Sequence, residues 1–137
     1  MDFKNSVVLI TGASSGIGYQ LAKDLAKDGA QLALLSRRTD LLVSLTEALT
    51  SITKVKYYKC DVTLKNEVAE SFSQIKTDFG KVDIAILNSG VGYTSSALNY
   101  NSVEAEKTFN TNVLGVVYFI EQLLPDFISE KRGVIIG

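Results

Sequence analysis

The stretch Val7-Val8-Leu9-Ile10-Thr11-Gly12-Ala13-Ser14-Ser15-Gly16-Ile17-Gly18 decides the fold. Its first four residues form a continuous apolar run, too short for a helix and suited to a strand covered on both faces. After the glycines the apolar period changes. Ile17, Leu21, Ala22, Leu25 and Ala26 make a helical stripe, and Gly29 stands where a helix C′ residue belongs. A strand therefore passes into a helix through a turn that holds three glycines. Gly12 lets the chain turn sharply as it leaves the strand. Gly16 removes a Cβ where the backbone must approach a bound group, and Gly18 lets the helix pack closely on the sheet. The helix N-terminus then offers free N–H groups and a positive dipole end, which suit the oxygens of a pyrophosphate. Ser14 and Ser15 can donate to the same oxygens.

Working outward, the alternation repeats. Apolar runs at Leu32–Leu35, Val55–Tyr58, Val82–Leu87 and Val134–Ile136 predict four more strands. Between them, Leu41, Leu42, Leu45 and Leu49 predict a helix over 38–51, and Val68, Phe72, Ile75 and Phe79 predict another that ends at Gly80. Phe109, Val113, Val116, Ile120, Leu123 and Phe127 predict one long helix. Strand–helix alternation with short connections implies right-handed crossovers and an α/β fold. The expectation is a Rossmann-like doubly wound parallel sheet of strand order 3-2-1-4-5, in a single domain over 1–137. The sequence stops inside the fifth strand, which would leave an unprotected edge. The 137 residues are therefore expected to be a piece of a longer chain.

Composition narrows the chemistry. Lys+Arg 14 against Asp+Glu 15 gives a net charge of -1, which argues against nucleic acid or an anionic membrane surface as partner. No apolar run approaches the roughly 18 residues of a membrane span, and the N-terminus lacks the pattern of a signal peptide. A cytoplasmic location is expected. There is no histidine, so a Ser-His-Asp triad and imidazole acid–base catalysis are excluded within these residues. The one cysteine, Cys60, can form neither an internal disulfide nor a cysteine zinc cluster, and reads as a small core residue.

The glycine spacing is G-x-x-x-G-x-G, not G-x-G-x-x-G, and no Gly-Lys-Ser/Thr follows as in a Walker loop. With Thr11 in front, it resembles the T-G-x-x-x-G-x-G of the short-chain dehydrogenase/reductase family, and further motifs extend the resemblance over the whole chain. At the end of the second strand stand Ser36-Arg37-Arg38. An acidic residue there would bind the ribose 2′-hydroxyl of NAD, whereas Arg accommodates the 2′-phosphate of NADP. Arg37 and Arg38 thus point to NADP(H) as the preferred cofactor, with NAD(H) the other nicotinamide nucleotide the site could take; a solvated arginine pair opening a helix is the bland reading.

The remaining roles are those the resemblance implies. Asp61-Val62 looks like the family's adenine-binding pair, although Asp61 could also cap a helix starting near Thr63. Leu87-Asn88-Ser89-Gly90 resembles the family's N-N-A-G, in which the Asn (Asn88) ties the strand end to its neighbours and the Gly (Gly90) leaves room for the nicotinamide ribose. Leu87 and Ser89 depart from that pattern. In Asn110-Thr111-Asn112-Val113-Leu114-Gly115, the family's catalytic asparagine corresponds to Asn112, which in relatives holds a water in the proton relay; a polar residue bending a helix would look the same.

By this resemblance the activity is hydride transfer between nicotinamide and a small carbonyl or alcohol substrate, with a serine and a Tyr-x-x-x-Lys handling the proton. Those three residues are expected beyond the fifth strand. Tyr19 and Lys23 match the spacing but sit on the helix that follows the glycine turn, at the wrong end of a dinucleotide. An intact enzyme of this kind is expected to be a homo-oligomer. The competing reading is a non-catalytic nucleotide-binding or regulatory module. A methyltransferase or flavodoxin-like protein would share the sheet but leave Arg37, Asp61-Val62 and Asn112 without a role.

Overall fold

The computed structural model describes residues 3–137. Five parallel strands, β1 (Val7–Thr11), β2 (Gln31–Ser36), β3 (Val55–Lys59), β4 (Ile84–Ile86) and β5 (Val134–Ile136), form one sheet of order β3-β2-β1-β4-β5. The helices α1 (Gly16–Lys27), α2 (Thr39–Leu49), α3 (Lys65–Phe79), α4 (Ser102–Phe109) and α5 (Gly115–Ser129) lie between them, with a π turn at Asn110–Leu114. This is the expected doubly wound order. The chain starts in the middle of the sheet, moves outward to β3, then crosses back to the other side of β1. That reversal separates the ends of β1 and β4 and opens a crevice at their carboxyl ends.

Alternation along the buried strands distributes side chains to the two faces. Val8, Ile10, Leu32 and Leu34 meet Ala22, Leu25 and Ala26 of α1 and Leu42, Leu45 and Leu49 of α2. Leu9, Ala33 and Leu35 meet Val68, Phe72 and Ile75 of α3 and Phe119 and Leu123 of α5. All five residues of β1 are buried, as a strand covered on both sides requires. The edge strand β3 shows the other pattern: Lys56 and Tyr57 are exposed, and Lys56 and Tyr58 both bond to Asp78 near the end of α3, at 2.6 and 2.7 Å.

Two helical expectations are corrected. Ile17 does not join the core stripe of α1 but is 73% exposed, because it faces the groove while its neighbour Gly18 takes the buried side of the first turn. The single long helix is in fact α4 and α5 joined by the π turn. A π turn holds about one more residue than an α turn, so apolar positions before and after it no longer share a face. Phe109 and Val113 are consequently exposed, while Phe119 and Leu123 carry the burial.

Asp83 fastens three strands at the opposite end from the crevice. Its carboxylate accepts from the Val7 amide at 2.9 Å, its own amide bonds to the Val7 carbonyl at 2.9 Å, and its carbonyl accepts from Val134 at 3.1 Å. Burial raises the cost of its charge, but the Val7 amide, Lys81 and Arg132 outweigh this and hold the carboxyl below the usual carboxylate range. A depressed native pKa gives stability that is present above the unfolded value near pH ~4 and fades as pH falls through the native one. Asp83→Asn should therefore lose about 1–2 kcal/mol at neutral pH, read from urea unfolding, with the gap to wild type closing as the pH falls through the depressed native value. A gap that stayed constant with pH would remove the charge from this explanation.

Candidate functional site

A groove of about 420 Å³ runs across the carboxyl ends of β1, β2, β3 and β4, a size suited to a small-molecule ligand. The glycine turn forms its floor. Gly12 takes φ +66°, and Ala13 then donates its amide to the Leu35 carbonyl at 3.1 Å, so the turn is pinned to the neighbouring strand. Gly18 lies directly beneath: a Cβ there would fall 2.5 Å from the Gly12 carbonyl oxygen and 2.7 Å from Nδ2 of Asn88. The close contact of Gly18 is thus with the turn itself and Asn88. α1 begins with no side-chain cap from Ser15 and no acidic residue in its first turn. Its leading N–H groups are left for oxygens supplied from outside, and space beside Gly16 is clear to 4 Å.

The adenosine-side features gather at one end. Ser36 ends β2 and donates to Ser14 Oγ at 2.8 Å, while the Arg38 amide donates back to Ser36 Oγ at 3.2 Å. The Arg38 guanidinium reaches across to the oxygens of both Ser14 and Ser15. Arg37 points to Asp61, with 4.0 Å between Nη1 and Oδ2. Two guanidinium groups against one carboxylate leave this end cationic. Asp61 does not cap α3, which starts at Lys65. Its Oδ1 instead accepts from the Thr63 amide and hydroxyl at 3.0 and 2.7 Å, closing a turn, and leaves Oδ2 toward the groove. Val62 and Cys60 complete this wall. Burial pushes the Cys60 thiol up to about 11, so it is a protonated core group and not a nucleophile.

At the other end, Asn88 donates to the carbonyls of Thr11 and Gly12 at 3.3 and 3.5 Å, and the Ser89 amide donates to Thr11 Oγ1 at 3.0 Å. β1 and β4 are thereby joined below the groove, and Leu87 is simply buried in the core beneath it. Gly90 and Val91 line the groove, and Asn112 in the π turn grips Val91 both ways. Oδ1 of Asn112 accepts from the Val91 amide at 2.8 Å, and its Nδ2 donates to the Val91 carbonyl at 3.0 Å.

Of the residues singled out from sequence, Gly12, Ser14, Ser15 and Ile17, then Arg37 and Arg38, then Asp61 and Val62, then Asn88 and Gly90 all line this one groove. Gly16 opens α1 with clear space beside it, Gly18 lies against Gly12 and Asn88, and Asn112 holds Val91. Tyr19 and Lys23 lie together on the surface of α1, the ammonium 5.4 Å from the ring centre, which accounts for their spacing. The motif includes Thr11 but gave it no role; its buried hydroxyl holds the β4 end. Thr111, which also lines the groove, was missed. A hydroxyl residue closing an otherwise apolar strand was the available signal for Thr11. Among the described residues there is no group of side chains that could hold a metal ion, and no helix is long and apolar enough to cross a membrane.

The sequence model of the short chain dehydrogenase family matches residues 6–137. The chain belongs to this family. An uncharacterised oxidoreductase of Listeria innocua is 36% identical over 138 residues, covering 100% of this chain and 56% of that protein. Glycine betaine reductase of Emericella nidulans is 36% identical over 132 residues, which make up 96% of this chain and 10% of that much longer protein. Among solved structures, NAD+-bound xylitol dehydrogenase superposes with TM-score 0.93 at 28% identity, over 98% of this chain and 53% of the other. An alcohol dehydrogenase of Thermococcus sibiricus in complex with 5-hydroxy-NADP gives 0.90 at 30% identity, over 96% and 57%. Apart from that longer reductase, the chain spans about half the length of these relatives.

The Asn112 grip is testable without any ligand. Asn112→Ala should speed hydrogen exchange of the Val91 amide by about tenfold, the size of one lost hydrogen bond. Asn112→Asp, which still accepts from that amide, should keep part of the protection. Unchanged exchange in the alanine variant would mean that the segment after Gly90 is held by other contacts.

Proposed function

We propose that the groove binds NADP(H) and that the chain is the cofactor-binding part of an oxidoreductase acting on a small carbonyl or alcohol. The observation that carries the reading is the end of β2, where Ser36 replaces an acidic residue and Arg38 is already tethered to Ser14 and Ser15 beside Arg37. An acidic side chain at Ser36 would repel a 2′-phosphate; two guanidinium groups and three hydroxyls receive one. NAD(H) would fit the same groove without that added attraction.

The remaining assignments follow the groove from end to end. Asp61 Oδ2 accepts from the adenine amino group, and Val62 flanks the ring. The open N–H groups after Ser15, with Gly16 and Ile17, receive the pyrophosphate. Asn88 and Gly90 shape the floor beneath the nicotinamide ribose. The bound cofactor would supply or accept the hydride at its nicotinamide ring. Asn112 holds Val91 at that end of the groove and retains one N–H and one lone pair for a water in a proton relay. Exposed Val117, Leu124 and Ile128 recur at helical spacing along α5, an apolar series that supports pairing with a second copy.

Arg37→Ala and Arg38→Ala should each weaken NADPH binding by about 1.5–3 kcal/mol, the scale of a charge-assisted hydrogen bond, and spare NADH. Titration of each variant with both nucleotides checks this; equal losses for the two would remove the basis for an NADP preference. Tight NADPH binding without turnover of any carbonyl by the full-length protein would favour a cofactor-sensing module.

A further inference from the structure

The stretch Asn110–Gly115 touches both ends of the groove, although it covers only six residues. Asn112 grips Val91 at one end. Three residues later, Gly115 opens α5 directly behind Val62 at the other. A Cβ built on Gly115 would fall 2.8 Å from Cγ2 and 3.0 Å from Cβ of Val62, and 3.3 Å from its carbonyl oxygen. No real Cβ tolerates the first of these distances, and valine, branched at Cβ, has no flexible end to swing away.

What yields is decided by what is fastened. α5 is anchored to the sheet by Phe119 and Leu123, 1% and 0% exposed. The turn that carries Val62 is fastened from the far side. The Asp61 amide bonds to Glu67 Oε2 at 2.7 Å, the Leu64 amide bonds to the Asp61 carbonyl at 3.0 Å, and the Cys60 amide bonds to the Ser36 carbonyl at 3.1 Å. Val62 faces the groove on one side. The gap it shares with Gly115 and Phe119 on the other is too narrow to take a water, so the groove is the side with room for it to move into.

We propose that Gly115 is a positioning residue for the adenine-side wall. By bringing the backbone of α5 against Val62, it holds that side chain back from the groove and so sets the slot into which a planar base fits. The π turn places Gly115 there while keeping Asn112 on Val91, so that one segment sets the limits of the groove at both ends. The proposal rests on the groove being the dinucleotide site.

The test is a double-mutant cycle of Gly115→Ala and Val62→Ala, read by equilibrium binding of NADPH and of 2′,5′-ADP, with thermal unfolding recorded for each protein. Gly115→Ala should weaken both ligands by about tenfold, the scale of an overpacked contact. The double variant should bind more tightly than Gly115→Ala alone, even though Val62→Ala by itself weakens binding. If Gly115→Ala does not fold, the double variant is expected to fold and bind; failure of both to fold overturns the proposal. So does unchanged affinity in Gly115→Ala, or weakened affinity that Val62→Ala does not relieve. A wild-type protein that binds neither ligand would instead sink the dinucleotide reading itself, which keeps the two failures apart.

Discussion

Helix α1 presses its first turn against the glycine turn that precedes it so closely that the Gly18 position has room for a hydrogen and nothing larger. That contact sets the direction in which α1 leaves β1, and with it the direction of the open N–H groups. It also brings Gly12 under Asn88, so the start of the chain and the end of β4 meet across the middle of the sheet. Every later feature of the groove is referred to this junction. A larger residue at Gly18 would separate α1 from the turn and displace the floor before any ligand arrived.

Around the junction, polar side chains serve the backbone. Thr11 and Asn88 join β1 to β4, Asp61 closes its own turn, and Asn112 takes both polar groups of Val91. Loop backbone at the ends of parallel strands has no ladder partner, so these side chains supply the missing hydrogen bonds. The groove is thereby shaped in advance of binding, which lowers the ordering cost that a ligand would otherwise meet.

Much of this was legible in the residues. Short apolar runs and glycine punctuation identify the strands, and helical periodicity identifies α1, α2 and α3, because burial on a sheet imposes those periods directly. The groove was legible too: the glycine turn, Arg37 and Arg38, Asp61-Val62 and Asn88-Gly90 each stand at a strand's carboxyl end, and a parallel sheet brings all such ends to one side. Three details were not. Ile17 has the right spacing for the α1 stripe, but in the first turn Gly18 takes the buried side and Ile17 faces the groove. The apolar series from Phe109 to Phe127 reads as one helix, but a π turn is recorded in backbone hydrogen bonding and not in apolar spacing. Thr11 is an ordinary strand residue until β4 lies beside it.

The sequence by itself determined the alternation of strand and helix and the set of residues at the strand ends, which follow from local period and from spacing within single segments. Its motifs carried the resemblance to the short chain dehydrogenase family, and the rules for α/β alternation gave the doubly wound order as an expectation. Only the tertiary structure decided that Arg38 lies on the two serines while Arg37 faces Asp61, that Asn112 spends its amide on Val91, and that Gly115 stands behind Val62. Each of those is a contact between segments far apart in the chain, fixed by how closely two elements pack, and no periodicity within one segment carries that distance.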